Sequence, residues 1–223
     1  METVSEETQA KALKAVKLYN RLILSIYDNY VFKIVSPLFF KCPQNDLVDF
    51  YRENISRNHL EIGVGTGFLL KKSAEVAGFD SLSLLDLSEN CLNLTAKKLK
   101  EFKPEKYHAN ILERFPIHNK VFDSVGLSFV LHCVPGSFET KGIAFDHIAA
   151  HMQKGGKLFG TTAIYYPEQT AMAKYVMDIY NKRGMFNNTE DKKEDLVNAL
   201  ANNYTDVVVE QVGNVLFFTA RKA

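Results

Sequence analysis

Residues 59–70 read HLEIGVGTGFLL, an apolar run that closes on glycines at positions 63, 65 and 67. Glycine enters left-handed backbone without a Cβ penalty and lets other atoms lie against the main chain. Between a strand and a helix, such residues make a tight turn on which a ligand can rest. A turn of this kind belongs to a sheet whose strands alternate with helices, and the remaining sequence has to supply that alternation.

It does. The spacing predicts a helix over Phe68–Ala77, stopped by Gly78, which suits the position just past a helix end. The strand SLSLLDL follows, and Ser88 is placed to cap a helix over Glu89–Leu99. KYHANI reads as a short strand, FDSVGLSFV as a buried one, residues 139–152 as a helix and GKLFGTTAIY as the next strand. Strands separated by helices of this length imply right-handed crossovers and a parallel, doubly wound α/β sheet. The chain's end breaks that rhythm. A helix near 191–203 precedes TDVVVEQV and VLFFTARKA, and Gly213-Asn214 between them marks a hairpin, hence an antiparallel pair. Upstream, residues 6–35 show helical periodicity that Ser36-Pro37 should interrupt, and a helix over Asn45–Asn54 leads into the first strand.

Bulk properties narrow the function. The length of 223 residues suits one domain with a small appendage, and a formal net charge of +1 gives no electrostatic case for nucleic acid or acidic lipid. Cys42, Cys91 and Cys133 are dispersed, without a CxxC pair, which fits a reducing compartment and argues against a disulfide framework or zinc knuckle. METVSEETQA is not a basic-then-apolar leader, and YVFKIVSPLFF is broken by Lys33, Ser36 and Pro37, short of the ~18 apolar residues of a membrane span. A cytoplasmic protein without integral membrane association is expected.

The glycine spacing itself is selective. A dinucleotide-binding turn would need glycine where Phe68 stands. The pattern present is E-x-G-x-G-x-G, Glu61 to Gly67, and it resembles that of class I S-adenosylmethionine-dependent methyltransferases. Asp86 ends LSLLD about the ~20 residues past the turn where an acidic side chain meets ribose hydroxyls. SFVLHCVPG, KGGKLFG and the terminal hairpin are similar to the family's fourth strand, fifth strand and antiparallel end, so the resemblance spans residues 45–222. It implies a Rossmann-like sheet of seven strands, and S-adenosylmethionine as cofactor with S-adenosylhomocysteine as product. It further implies a cofactor site of Glu61, Gly63, Gly65, Gly67, Asp86 with Leu87, Asn110 with Ile111, and Ser128. Asn110 stands where an aspartate is usual and can still accept from the adenine amine. Lys154 replaces a usual proline. The resemblance also implies an N-terminal helical lid over 1–44, with Tyr27 at the cofactor and Tyr19, Asp28 and Tyr30 nearby. The methyltransferase domain would then occupy 45–223. The whole-chain pattern also looks like a narrower bacterial and fungal group of small methyltransferases, which brings no substrate with it.

Methyl transfer from a sulfonium is an in-line displacement, in which positioning supplies much of the rate and a base is needed only for a protonated nucleophile. His132, just past the fourth strand, is the base candidate. The blander reading, a histidine that packs on the cofactor or caps the loop, is favoured. His147 and His151 stand four apart, but Ile148 occupies the place of a zinc-site glutamate, so no metal is expected. Tyr165, Tyr166, YVMDIY and Met185-Phe186 make 165–190 an expected wall for an aromatic or lipophilic small-molecule acceptor. Alternatives are a lipid or quinone methyltransferase using VFKIVSPLFF at a membrane surface, and a catalytically silent cofactor-binding scaffold. Modification of nucleic acid or protein is disfavoured, since no N/D-P-P-Y/F follows the fourth strand.

Overall fold

Apolar strands that bury both faces need helices on either side, and the first strands are of this kind. In the computed structural model, which describes residues 31–166 and 168–223, β1 (Asn58–Ile62), β2 (Ser81–Asp86) and β4 (Phe122–Ser128) are buried along most of their length. With β3 (Glu105–His108), β5 (Met152–Ala163), β6 (Tyr204–Val212) and β7 (Val215–Lys222) they form one seven-stranded sheet, ordered β3-β2-β1-β4-β5-β7-β6. Pairs among the first five strands are parallel, whereas β7 runs antiparallel to both β5 and β6. This is the expected α/β Rossmann-like architecture with its antiparallel terminal hairpin. The chain winds outward from β1 to β3, then restarts on the other side at β4. The crevice between the carboxyl ends of β1 and β4 is therefore the switch point where such sheets hold ligands.

The helices flank the sheet as α1 (Gln44–Asn54), α2 (Phe68–Ala77), α3 (Glu89–Lys98), α4 (Phe138–Lys141), α5 (Ile143–Ala149), α6 (Ala171–Lys182) and α7 (Lys193–Ala201). Gly78 ends α2 at φ 54°, and Ser88 Oγ caps α3 by accepting from the Cys91 N–H at 3.4 Å, a contact type worth ~1 kcal/mol. Three boundaries differ from the sequence expectation. The helical segment Val31–Phe39 runs through Pro37 as a π-helix. Wide turns there, such as the Phe40 N–H to Val35 carbonyl bond at 3.1 Å, carry the chain past a residue that lacks only its own N–H. The helix expected over 139–152 is instead α4 and α5, parted at Gly142. A Cβ on Gly142 would sit 2.5 Å from the Phe138 carbonyl oxygen and 3.2 Å from Ala199 Cβ, so α7 closes on the chain at that point. Finally, β5 begins at Met152, because Met152 pairs with Phe122 before the register shifts.

Val35, Phe40 and Cys42 are buried in one cluster with Leu47, Phe159 and Phe217, so the chain before residue 45 already belongs to the core from Val35 onward. The Phe40 carbonyl accepts the Asn214 N–H at 2.8 Å. Tyr19, Tyr27, Asp28 and Tyr30, and with them most of the expected lid, lie outside the described residues. Among the described residues no helix is long and apolar enough to cross a membrane.

Candidate active site

The three glycines of the β1–α2 turn all have positive φ, and each has its own reason for lacking a side chain. A Cβ on Gly63 would meet Val130 Cγ2 at 2.1 Å, and one on Gly67 would meet Thr95 Cγ2 at 2.6 Å. At Gly65 the same atom would meet nothing within 4 Å. Gly63 and Gly67 are thus required by packing, while Gly65 faces open space. That space is a pocket at the switch point, lined by the turn and by residues that include Tyr51, Glu61, Asp86, Asn110, Ser128 and Phe129. Gly65→Ala should fold with a stability loss of ~1 kcal/mol from its positive φ, yet lose affinity for a ligand lying on the turn. Calorimetry beside a thermal melt checks this.

Asp86 organises the turn. Its Oδ2 accepts the Gly65 N–H at 3.2 Å and its Oδ1 accepts the Ser88 N–H at 2.7 Å. Burial pushes its pKa up to about 6 against these hydrogen bonds, which pull it down. Each oxygen retains acceptor capacity toward the pocket. From the other side, Thr95 Oγ1 donates to the Gly65 carbonyl at 3.2 Å. Asn110 Oδ1 accepts the Leu112 N–H at 3.0 Å in a local turn, with Ile111 buried beside it; both line the pocket, as do Leu87 and Gly63. Glu61 is 5 % exposed at the pocket floor, where Tyr51 Oη donates to its Oε1 at 2.7 Å.

Comparisons with known proteins agree with this geometry. Residues 60–158 match the methyltransferase domain family. The chain is 40% identical to demethylluteothin O-methyltransferase of Streptomyces thioluteus over 82% of this chain and 80% of that one. To the methyltransferase aurB of Calcarisporium arbuscula it is 33% identical, over 92% and 95%. The chain belongs to the class I S-adenosylmethionine-dependent methyltransferases. Among solved structures, the DhpI complex with S-adenosylhomocysteine superposes with a TM-score of 0.68 at 15% identity, covering 96% of this chain and 98% of that one, a likeness of fold. The methyltransferase's cofactor is S-adenosylmethionine, and the pocket fits it. A bare Gly65 leaves room against the backbone, and two carboxylates, half-buried Asp86 and buried Glu61, face a ligand that carries hydroxyls and two cationic centres.

The structure describes the surroundings of His132, which follows β4. His132 is buried, and its ring lies against Phe129 and Phe186, with centroids 5.8 and 4.3 Å away. Nδ1 accepts the Ala163 N–H at 3.1 Å. Burial, aided by the Lys141 charge, depresses its pKa to about 3, so the ring is neutral near pH 7 and a weak base. His132 is not among the residues lining the pocket. It ties the loop after β4 to the end of β5. His132→Ala should lower stability by ~1–3 kcal/mol through the orphaned Ala163 N–H. Turnover at saturating cofactor should stay within ~10-fold, below the loss typical of a removed base. A pH–rate profile unchanged by the substitution is the accompanying expectation.

The side chains of the 165–190 insertion pack away from the pocket at the glycine turn. Tyr165, Tyr180 and Phe186 pack on the cluster of Val35, Phe40 and Met177, and none lines the pocket. The insertion reaches the site indirectly. Lys141, fully buried, donates to the Leu131 carbonyl at 3.0 Å, to the Asn187 carbonyl at 3.4 Å and to Asp191 Oδ2 at 2.6 Å. Asn187 N–H in turn donates to the His132 carbonyl at 2.7 Å. The pocket-lining loop Val130–Pro135 is thereby stitched to the chain beyond α6. His147 Nδ1 faces the Ile111 carbonyl at 3.2 Å and His151 stacks on Phe115 at 5.6 Å; both are engaged in packing. Among the described residues no cluster could hold a metal ion.

Proposed function

We propose that the protein methylates a hydroxyl of a small aromatic or lipophilic molecule. The observation that carries this reading is the pocket's lining. Around Asp86 and Glu61 it is largely apolar, with Phe68, Phe129, Val130, Val134 and Pro135 among its walls. Support for oxygen as the nucleophile comes from the relative at 40% identity, an O-methyltransferase of a small molecule. When bound, the cofactor supplies a methyl group already activated on a sulfonium. The chain's own part is to place the two reactants. Asp86 accepts from the ribose hydroxyls while the Gly65 backbone receives the ligand, with Asn110 and Ile111 at the adenine. Phe68 and Phe129 hold the acceptor and keep water out, and alignment supplies most of the rate. The bound sulfonium would supply its methyl group to the acceptor oxygen and leave as the thioether, and the hydroxyl proton would pass to solvent without help from His132.

A metabolite extract and a panel of phenols, lipids and quinones, each incubated with radiolabelled methyl donor, tests the proposal. Label in a phenol or related lipophilic small molecule is expected. Label confined to protein or nucleic acid, or calorimetric binding of NAD with none of S-adenosylhomocysteine, would overturn it.

A further inference from the structure

His59 and Glu61 alternate with Leu60 and Ile62 along β1, so both project to the same face of the sheet. On β4 their registered partners are Ser124 and Gly126. Gly126 makes the room: a Cβ there would lie 2.5 Å from Glu61 Oε2 and 3.1 Å from His59 Cε1. Into that space His59 directs Nε2, 3.0 Å from Glu61 Oε2. With Nε2 donating to the carboxylate, Nδ1 is left to accept from the Ser124 hydroxyl at 2.8 Å. Ser124 Oγ accepts the Ser56 N–H at 2.9 Å and lies 2.8 Å from Ser56 Oγ. The His59 ring is clamped between Phe79 and Phe159, with centroids 5.9 and 5.8 Å away. His59 and Ser124 are fully buried, and His59 does not line the pocket.

Both oxygens of Glu61 are therefore fixed, one by Tyr51 and one by His59, and each keeps an acceptor position. A buried carboxylate held this way awaits a cationic donor. Of the cofactor's two cationic centres, the sulfonium has no proton to donate, whereas the ammonium of its amino-acid end has three. Asp86 is already committed to the turn and the ribose. We propose that His59 is a positioning residue for the amino-acid end of the cofactor, acting through Glu61, with Ser124 and Ser56 as its support. This rests on the pocket holding S-adenosylmethionine, and it assigns to buried residues behind the pocket the selection of one end of the ligand.

The test compares S-adenosylhomocysteine with 5′-methylthioadenosine, which keeps the adenosine and sulfur but lacks the amino-acid end. In His59→Phe, which preserves the ring packing, calorimetry should show S-adenosylhomocysteine weakened ~10–100-fold, the worth of one hydrogen bond to a charged group. Methylthioadenosine should bind within ~3-fold of wild type, which also reports an intact fold. His59→Gln, whose amide nitrogen can reach the same carboxylate oxygen, should restore most of the loss. Equal weakening of both ligands, or unchanged S-adenosylhomocysteine, would overturn the proposal. Should His59→Phe not fold, Ser124→Ala carries the same comparison, with a selective loss of ~3–10-fold expected; equal effects there would overturn it too. Failure of the wild-type protein to bind S-adenosylhomocysteine would instead strike at the cofactor assignment itself.

Discussion

Lys141→Met should destabilise the protein by ~3–5 kcal/mol, the cost of leaving one half of a buried ion pair alone. Lys141 Nζ has the Asp191 carboxylate at 2.6 Å and backbone carbonyls of two separate loops as acceptors, and both side chains are essentially without solvent contact. Burial disfavours both charges, lowering the lysine's pKa and pushing that of Asp191 up to about 6. The pair is thus costly to bury, and its value lies in where it holds the chain. Methionine would strand the Asp191 charge and take the lysine donor from the Leu131, Val134 and Asn187 carbonyls. For a domain of this size the melting temperature should fall by ~6–20 °C. Removing both charges, in Lys141→Met with Asp191→Leu, should recover much of the loss. A single variant as stable as wild type would show that the pair is not the tie described.

Asp86→Ala should weaken S-adenosylhomocysteine by ~10-fold to a few hundredfold, from one or two lost hydrogen bonds to a charged group. The same substitution orphans the Gly65 and Ser88 N–H groups but relieves a buried charge, so the melting temperature should move far less than the dissociation constant. The pH dependence has a definite sign. Because the folded pKa of Asp86 is raised to about 6, folding gains stability from its protonation as pH falls from about 6 toward the ordinary carboxylate range. Ligand binding runs the other way, since ribose hydroxyls donate best to the ionised form. Affinity should drop as pH falls below about 6, approaching ~10-fold per pH unit, and Asp86→Asn should abolish that slope. Calorimetry between pH 5 and 7.5 decides; an unchanged constant in Asp86→Ala would remove Asp86 from the ribose.

The turn and the alternation of strands and helices could be read from the sequence because their causes are local. Gly63, Gly65 and Gly67 stand within five residues, and each alternation of strand and helix carries its own periodicity. What stayed hidden was the pairing of distant side chains. Lys141 and Asp191 are 50 residues apart, and His59 and Ser124 are 65 apart. Nothing near either partner signals the other, and Lys141, at the end of a short helix, carries no local mark of burial. His132 is hard to place for the same reason. Its place after β4 suggests chemistry, but its environment is set by Ala163 and Phe186, which sequence spacing does not connect to it. The insertion was legible as apolar and illegible as to which surface it would cover.

The bond from Asn214 to the Phe40 carbonyl has a consequence for biogenesis. Gly213, at φ +57°, leaves a Cβ no room: it would stand 2.0 Å from that same carbonyl oxygen. The chain just upstream of α1 thus docks against the turn between β6 and β7. Until the hairpin forms, β5 is paired only with β4, its other edge lies open where β7 belongs, and Phe40 lacks the turn it docks on. A chain halted short of the hairpin would present that open edge as a template for intermolecular pairing. Closure of the hairpin, rather than formation of the glycine turn, is the step that removes it.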